Sequence, residues 1–364
     1  MSYESILTRC LAGFVREPNL TRVAAAIRVD RRPYWMSANS AEGLLAGDAR
    51  FPVYSITKTL IAICVLRLCQ SGSLKLTDDV TKWFVGRGVP GGITLGHLLR
   101  HTSGLGDYGP LAEYHQAVRS RPGEPWSRQQ FLETVLSTGM LFAPGSGWAY
   151  SNIGYMLLLE VLERATGQGF GQILSEVITK PLQLQRTSVL HEIEDLSSCV
   201  PGYGPEVDAE GRVVDVRRVY HPGWCAPGLV ASTTEDITLV FDALLAGELL
   251  GPEILAEMLT LTPLPGDNIP PVTPAFGMGI FSDIASRHGR NYGHGGGGPG
   301  YDLDIVVLPD GPMGRVTVAA FVNSSCGPAA RDCVAALLAE FLGDARVQQA
   351  AGPSPVPVTR SGGR

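Results

Sequence analysis

The sequence predicts an α+β fold: an antiparallel sheet flanked by helices, with a mainly helical domain inserted into it. Three observations carry this. Segments rich in β-branched residues lie near both chain ends, at residues 23–29 and again beyond about residue 275. Between them, apolar residues recur with helical period. At 364 residues the chain is also long for one compact core, so one large or two closely packed domains are expected. The expected division is 1–75 with 275–346 as a discontinuous sheet domain, and 76–274 as the helical domain. A Pro/Gly/Ser-rich disordered tail is expected over 347–364.

In chain order, residues 5–16 read as an N-terminal helix, and 23–29 and 34–37 as short strands. From Ser55, SITKTLIAICVLRLCQSG is apolar on nearly every face, so its helix must be buried, and Gly72 is a fitting stop. FLETVLSTG, SNIGYMLLLEVLERATG and STTEDITLVFDALLAG continue the helical pattern. A capping box from Ser232 to Glu235 opens the last of these, and Glu160 and Arg164 form an i,i+4 pair on the second. FGMGIFSD, YGHGG, YDLDIVVL and RVTVAAFVN then read as strands, with a turn at Pro309-Asp310-Gly311. Residues 329–342 close the fold as a helix with Val334, Leu337, Leu338 and Phe341 on one side.

A 45% apolar and 18% charged composition is that of a globular protein, and a net charge of −6 without any Lys/Arg run argues against a nucleic-acid or anionic-membrane partner. No stretch of 18 uninterrupted apolar residues exists to span a membrane. The first residues carry polar and charged side chains where a signal peptide needs an apolar core. The expectation is therefore a cytoplasmic protein, unless a leader preceded residue 1. Seven widely spaced cysteines without a CxxC pair read as reduced thiols, with no thiolate zinc site.

In YGHGGGGPGYDLDIVVL, residues 292–308, Gly293, Gly295 and Gly298 match the G-x-G-x-x-G spacing of a dinucleotide loop. Such a loop must open a helix, whose N-terminus binds the pyrophosphate. A β-branched segment follows instead, so no nucleotide cofactor is expected. A glycine-rich strand with close backbone approach, or a bulge, fits the context.

No G-x-S-x-G elbow is present, but Ser55-Ile56-Thr57-Lys58 opens the buried helix. The i,i+3 spacing puts serine and lysine on one face, with the serine at the positive end of the helix dipole. A lysine desolvated by Leu60 and Ile61 can serve as a base; a capping serine followed by an exposed lysine is the competing reading of this tetrapeptide. Tyr150-Ser151-Asn152 precedes a second buried helix, and His294-Gly295-Gly296 begins the glycine strand.

With these three elements in this order, the chain resembles the serine β-lactamase-like family, on the branch of class C β-lactamases, DD-peptidases, D-aminopeptidases and esterases. LLRHTSGLGDY, PGSGWAYSNIGY and PGLVASTTEDI add to the likeness, which runs from about residue 50 to 342. The resemblance implies a β-lactamase/transpeptidase-like fold. It implies Ser55 as the nucleophile, Lys58 as its activating base and Tyr150 as the proton shuttle. Asn152 would hold Lys58 and the acyl-side amide of the substrate, with His294 and Gly296 also binding substrate. The backbone N–H groups of Ser55 and Gly297 would form the oxyanion hole. Many relatives have Lys-Thr-Gly where this chain has His294-Gly295-Gly296, which removes a fixed positive charge and a hydroxyl from the carboxylate anchor.

The expected function is a serine hydrolase that cleaves an ester or amide of a small molecule through a Ser55 acyl-enzyme. An acyltransferase passing the acyl group to an amine or alcohol is the alternative. A β-lactamase or DD-peptidase, or a non-catalytic binding module, ranks below both. The expected partner is a small-molecule acyl donor (ester, amide or thioester), with an acyl acceptor in the case of transfer; no metal or other cofactor is implied. His97 and His101, four apart, lack the glutamate of H-E-x-x-H and read as packing or loop-positioning residues rather than zinc ligands. Asp107 and Tyr108 suit either the cleft mouth or a turn. Trp148 and Trp224 suit either an acyl pocket or the core.

Overall fold

Both ends of the chain meet in one antiparallel sheet. In this computed structural model, which describes residues 3–14, 23–40, 43–44, 49–265, 273–327 and 329–351, its order from edge to edge is Gly43–Leu44, Arg32–Ser40, Val23–Val29, Gly314–Val322, Tyr301–Gly311, Tyr292–Gly298, Phe281–Asp283, Pro274–Phe276 and Thr262–Pro263. The join between the two ends is the pairing of Val23 with Val322 through Val29 with Val316.

Period-2 alternation divides the sheet between two apolar cores. Val23, Ala25 and Ile27, with Val318 and Ala320, face the helices Tyr3–Ala12 and Ala330–Ala351, which contribute Leu7, Leu11, Leu337 and Phe341. On the other face, Leu303, Ile305, Ala319 and Phe321 join a larger core shared with Ile56–Gln70, Asn152–Thr166 and Thr234–Leu245. Every residue from Ile56 to Leu66 is buried, as all-round apolarity requires. Each fully buried aliphatic side chain there contributes about 1.5–3 kcal/mol.

The helix Ile56–Gln70 is followed by Gly72 at φ 78°. The helix Asn152–Thr166 starts at a Ser151 cap, which accepts from the Gly154 N–H, and stops at the left-handed Gly167. Glu160 pairs with Arg164 at 3.4 Å and also with Arg87.

Several local expectations are corrected. The cap of Thr234–Leu245 is Thr233, whose side chain accepts from the Asp236 N–H; Ser232 is still the last residue of a strand, Leu229–Ser232. FGMGIFSD is a hairpin, not a strand, because Gly277 N–H bonds Ile280 C=O at 2.8 Å. The strand from Tyr301 continues through Pro309-Asp310 to Gly311 by way of a register shift after Leu308, so the turn falls one step later. The C-terminal helix runs to Ala351, past the expected tail boundary, and residues 352–364 lie outside the described residues, as do 15 and 16 of the expected first helix. The helix Thr234–Leu245 falls in the 76–274 span yet packs on Val23–Val29 and Gly314–Val322, and Thr262–Pro263 is a strand of the main sheet. Among the described residues no helix is long and apolar enough to cross a membrane. All seven cysteines are unpaired.

Candidate active site

The helix Ile56–Gln70 meets the glycine strand at its N-terminus. Ser55 has helical backbone angles (φ −66°, ψ −15°) and its side chain makes no capping bond. Its Oγ accepts instead from Lys58 Nζ at 3.0 Å, which sets aside the reading of a capping serine with an exposed lysine. Lys58 is 2% exposed. Tyr54, just before Ser55, has φ 41°, a left-handed conformation costing a non-glycine residue on the order of 1–3 kcal/mol. That strain is held by burial of the ring and by its hydroxyl, which donates to Pro299 C=O at 2.7 Å.

The glycine run has a steric cause at alternate positions. A Cβ on Gly296 would lie 2.4 Å from Val53 O, and one on Gly298 would lie 2.1 Å from the Tyr54 ring. Only residues without side chains let this strand abut the segment that carries Ser55. Beyond Gly293, the strand Tyr292–Gly298 has no pairing partner among the described residues on the side of Phe281–Asp283, and Gly297 is exposed.

Tyr150 stands over Lys58, with Nζ 5.0 Å from the ring centroid. Its ring packs on His101 (centroids 4.4 Å) and stacks parallel to Phe281 (6.5 Å). His101 has φ 59° and is 1% exposed. Burial drives its pKa well down, with Lys58 and His294 adding to the shift. Its neutral ring accepts from the Ser151 N–H through Nδ1 at 3.1 Å, tying the LLRHTSGL segment to the start of Asn152–Thr166. His97 does another job: its Nδ1 accepts from the Thr94 N–H at 3.3 Å, inside a capping box.

Asn152 and His294 depart from expectation. The Asn152 side chain donates to Asp107 Oδ2, and its backbone N–H to Asp107 Oδ1, both at 2.9 Å, so Asp107 rather than Lys58 holds the carboxamide. Burial raises the Asp107 pKa, while the Asn152 bonds and nearby Lys58 pull it back. His294 is buried (3% exposed) with its ring 5.0 Å from Phe281, and Gly296 is buried against Val53, so neither forms the cleft wall. The cause is the strand's alternation: positions 294, 296 and 298 face the Val53-Tyr54-Ser55 segment and the core behind it. Burial depresses the His294 pKa to about 3, and its Nδ1 bonds Gly295 C=O at 2.6 Å.

A cleft of about 420 Å³ opens over Ser55, lined also by Lys58, Asn152 and Gly297. Tyr54, Tyr108, Tyr114, Tyr220 and Tyr301 form its apolar walls, and Glu206, Asp302 and Ser325 add oxygens. Tyr108 thus takes the cleft role. Trp224 is fully buried, with Nε1 donating to Pro122 C=O at 2.9 Å, and Trp148 packs edge-on against His101 at 5.9 Å; both are packing residues. Sequence reasoning missed Tyr54, Glu206, Tyr301 and Ser325, which no local motif marks. Only the alternation of glycines beside Val53-Tyr54-Ser55 hinted at such closeness.

A family model described as Beta-lactamase matches residues 7–340. The chain is 31% identical over 292 residues to esterase EstB of Burkholderia gladioli, covering 70% of this chain and 74% of that one. It is 27% identical over 277 residues to penicillin-binding protein 4* of Bacillus subtilis (strain 168), covering 73% of this chain but only 59% of the Bacillus protein. Among solved structures, a D-stereospecific amidohydrolase from Streptomyces sp. superposes with a TM-score of 0.79 at 28% identity, over 93% of this chain and 99% of that one.

Proposed function

This chain belongs to the β-lactamase family, and from that premise we propose that it is a serine hydrolase cleaving a small-molecule ester or amide through a Ser55 acyl-enzyme. The observation that carries the reading is the Ser55–Lys58 contact of 3.0 Å at the N-terminus of a buried helix, opening on a tyrosine-walled cleft. In this reading Ser55 Oγ attacks the substrate carbonyl carbon and Lys58 Nζ takes its proton. The carbonyl oxygen becomes an oxyanion, held by the N–H groups of Ser55 and exposed Gly297. Losing one such donor typically costs on the order of 10²–10³ in rate. Tyr150, in contact with Lys58 through its ring, passes the proton on to the leaving group. The leaving group departs as the carbonyl re-forms, and water then hydrolyses the acyl-serine by the same steps in reverse order. Asn152, fixed by Asp107, is placed on the cleft wall to hold the acyl part.

Buried, neutral His294 supplies no positive charge for a substrate carboxylate, which favours neutral esters and amides over penicillin-like acids. Intact-mass spectra after exposure to a fluorophosphonate test the reading. One adduct is expected, on Ser55, lost in Ser55→Ala; labelling that survives that substitution would refute it. Product analysis with added alcohols and amines then reads whether water or an acceptor takes the acyl group.

A further inference from the structure

We propose that the carboxylates of Asp302 and Asp304, side by side behind the glycine strand, govern the oxyanion donor: their charge state sets how strongly Gly297 N–H holds the oxyanion. The proposal rests on the hydrolase reading above and adds two positioning residues to it, both acting through Gly297.

The sheet register puts the pair there. Asp302 lies opposite Gly297, and Asp304 lies opposite Gly295. Positions two apart on a strand share a face, about 6.6 Å from one another along the chain. That face is turned away from Ser55, because positions 296 and 298 of the glycine strand take the near side, against Val53 and Tyr54. With no side chains at 295 and 297, both carboxylates lie against the strand. A Cβ on Gly297 would be 3.7 Å from Asp302 Oδ1, and one on Gly295 would be 3.6 Å from Asp304 Oδ1. Asp302 also lines the cleft.

The two carboxylates differ in what balances them. Asp302 Oδ2 accepts from the Ala330 N–H at 2.8 Å, at the start of the helix Ala330–Ala351, and the positive end of that helix dipole offsets its charge. Among the described residues, the other charged groups acting on the pair are Arg331 and Asp332 of the same helix. The Arg331 side chain is 83% exposed and is shared with Asp332, 4.0 Å away. The neighbouring strands add no charge: Gly314–Val322 meets the pair with Val322 and Ala320, and the glycine strand meets it with glycines. Thr234–Leu245 packs on the opposite face, with Leu303 and Ile305.

Like charges in one place resist ionising together. Burial and Asp302 raise the Asp304 carboxyl to about 7. The residue is still partly exposed, so its proton exchanges with water. Below that pH the pair carries one negative charge, which the helix end balances. Above it Asp304 releases its proton to solvent, and a second, unbalanced charge stands behind Gly297. That charge opposes the oxyanion. At about 8 Å in a partly solvated site, one such charge lowers the rate roughly three- to tenfold.

The test labels Ser55 of the full chain with an uncharged fluorophosphonate from about pH 5.5 to 9, beside Asp304→Asn, whose amide copies the protonated carboxyl in shape and charge. The ratio of variant to parent rate is expected near one at the acid end and about three to ten at the alkaline end. Lys58 titrates in both proteins and does not distinguish them. Carbon-13 spectra of aspartate-labelled parent read the pair directly: one carboxyl titrating near pH 7 is expected, absent in Asp304→Asn and moved to lower pH in Asp302→Asn. A rate ratio that is flat across the range, as a purely structural role would give, overturns the proposal. So does a parent in which no aspartate titrates above about pH 6, whatever the variants do. If the parent fails to label at any pH, the hydrolase reading fails and takes the effect on the oxyanion with it; the carbon-13 titration then still decides whether the two carboxylates share a proton.

Discussion

Gly296→Ala is the sharpest perturbation of the site, because a single methyl group separates two surfaces that must touch. Its Cβ would sit 2.4 Å from Val53 O and 3.3 Å from Val53 C, with Ile56 Cγ1 at 3.4 Å. The nearest atom is backbone, so no side chain can swing away; the strand and the Val53–Ser55 segment must separate by about 1 Å to reach ordinary contact. Overpacking of this kind costs about 1–3 kcal/mol. Melting should fall by several degrees, at about 2–4 °C per kcal/mol for domains of 150–250 residues and less in a longer chain. The larger effect falls on chemistry. The same displacement moves Gly297 N–H away from Ser55 Oγ, and a misplacement of about 1 Å can lower the rate about 10²-fold. Gly295→Ala is the matched control, since its Cβ would be 3.6 Å from Asp304 Oδ1, an ordinary contact on the opposite face. Labelling rate at Ser55 and turnover of a p-nitrophenyl ester, measured beside a thermal melt, give both readouts. The steric account is refuted if Gly296→Ala labels and melts like the parent, or if Gly295→Ala is equally damaging.

Lys58→Ala removes the group bonded to Ser55 Oγ and should slow fluorophosphonate labelling by about 10²–10⁴-fold; a rate within threefold of the parent would show that Lys58 is not the base. Asp107→Ala deletes both bonds that orient Asn152, and the expected result is an increase in KM of about tenfold with a smaller change in kcat, read by steady-state kinetics. His294 makes stability depend on pH. Its folded pKa is depressed to about 3, so the unfolded chain binds the extra proton between there and about 6.5. Its contribution is whole above about pH 6.5 and declines as pH falls toward 3, by up to about 1.4 kcal/mol per unit. Asp304, raised to about 7 by burial and by Asp302, acts in the opposite sense, losing stability as pH rises through the same range. The difference between parent and His294→Gln therefore isolates the histidine. Denaturant unfolding from pH 7 to 4 should show a flatter acid limb in the variant, and parallel curves would contradict the assignment.

What the sequence determined by itself is what short-range geometry dictates. Ser55 and Lys58 face one another because i,i+3 residues on a helix do, and the helix is buried because no face of it is polar. Ser151 caps its helix and Gly167 ends it, as residue type and position imply. The strand pattern at the two chain ends foretold a sheet assembled from both, and the residues following Gly300 already excluded a phosphate loop. Only the tertiary structure decided what depends on distant segments arriving at one point. Asp107 rather than Lys58 receives Asn152, across 45 positions of sequence. His294 turns into the core because the strand's alternation gives that face to the Val53-Tyr54-Ser55 segment. Glu206 and Ser325 both come up against Gly204 because Tyr203 pairs beside the end of Gly314–Val322. Such contacts have no period and no spacing; they follow from how an entire sheet packs against an entire helix. The glycines at 296 and 298 lie between the two kinds of information. Their spacing was visible in the chain, but its reason, two backbones with no room for a Cβ between them, exists only in the folded protein.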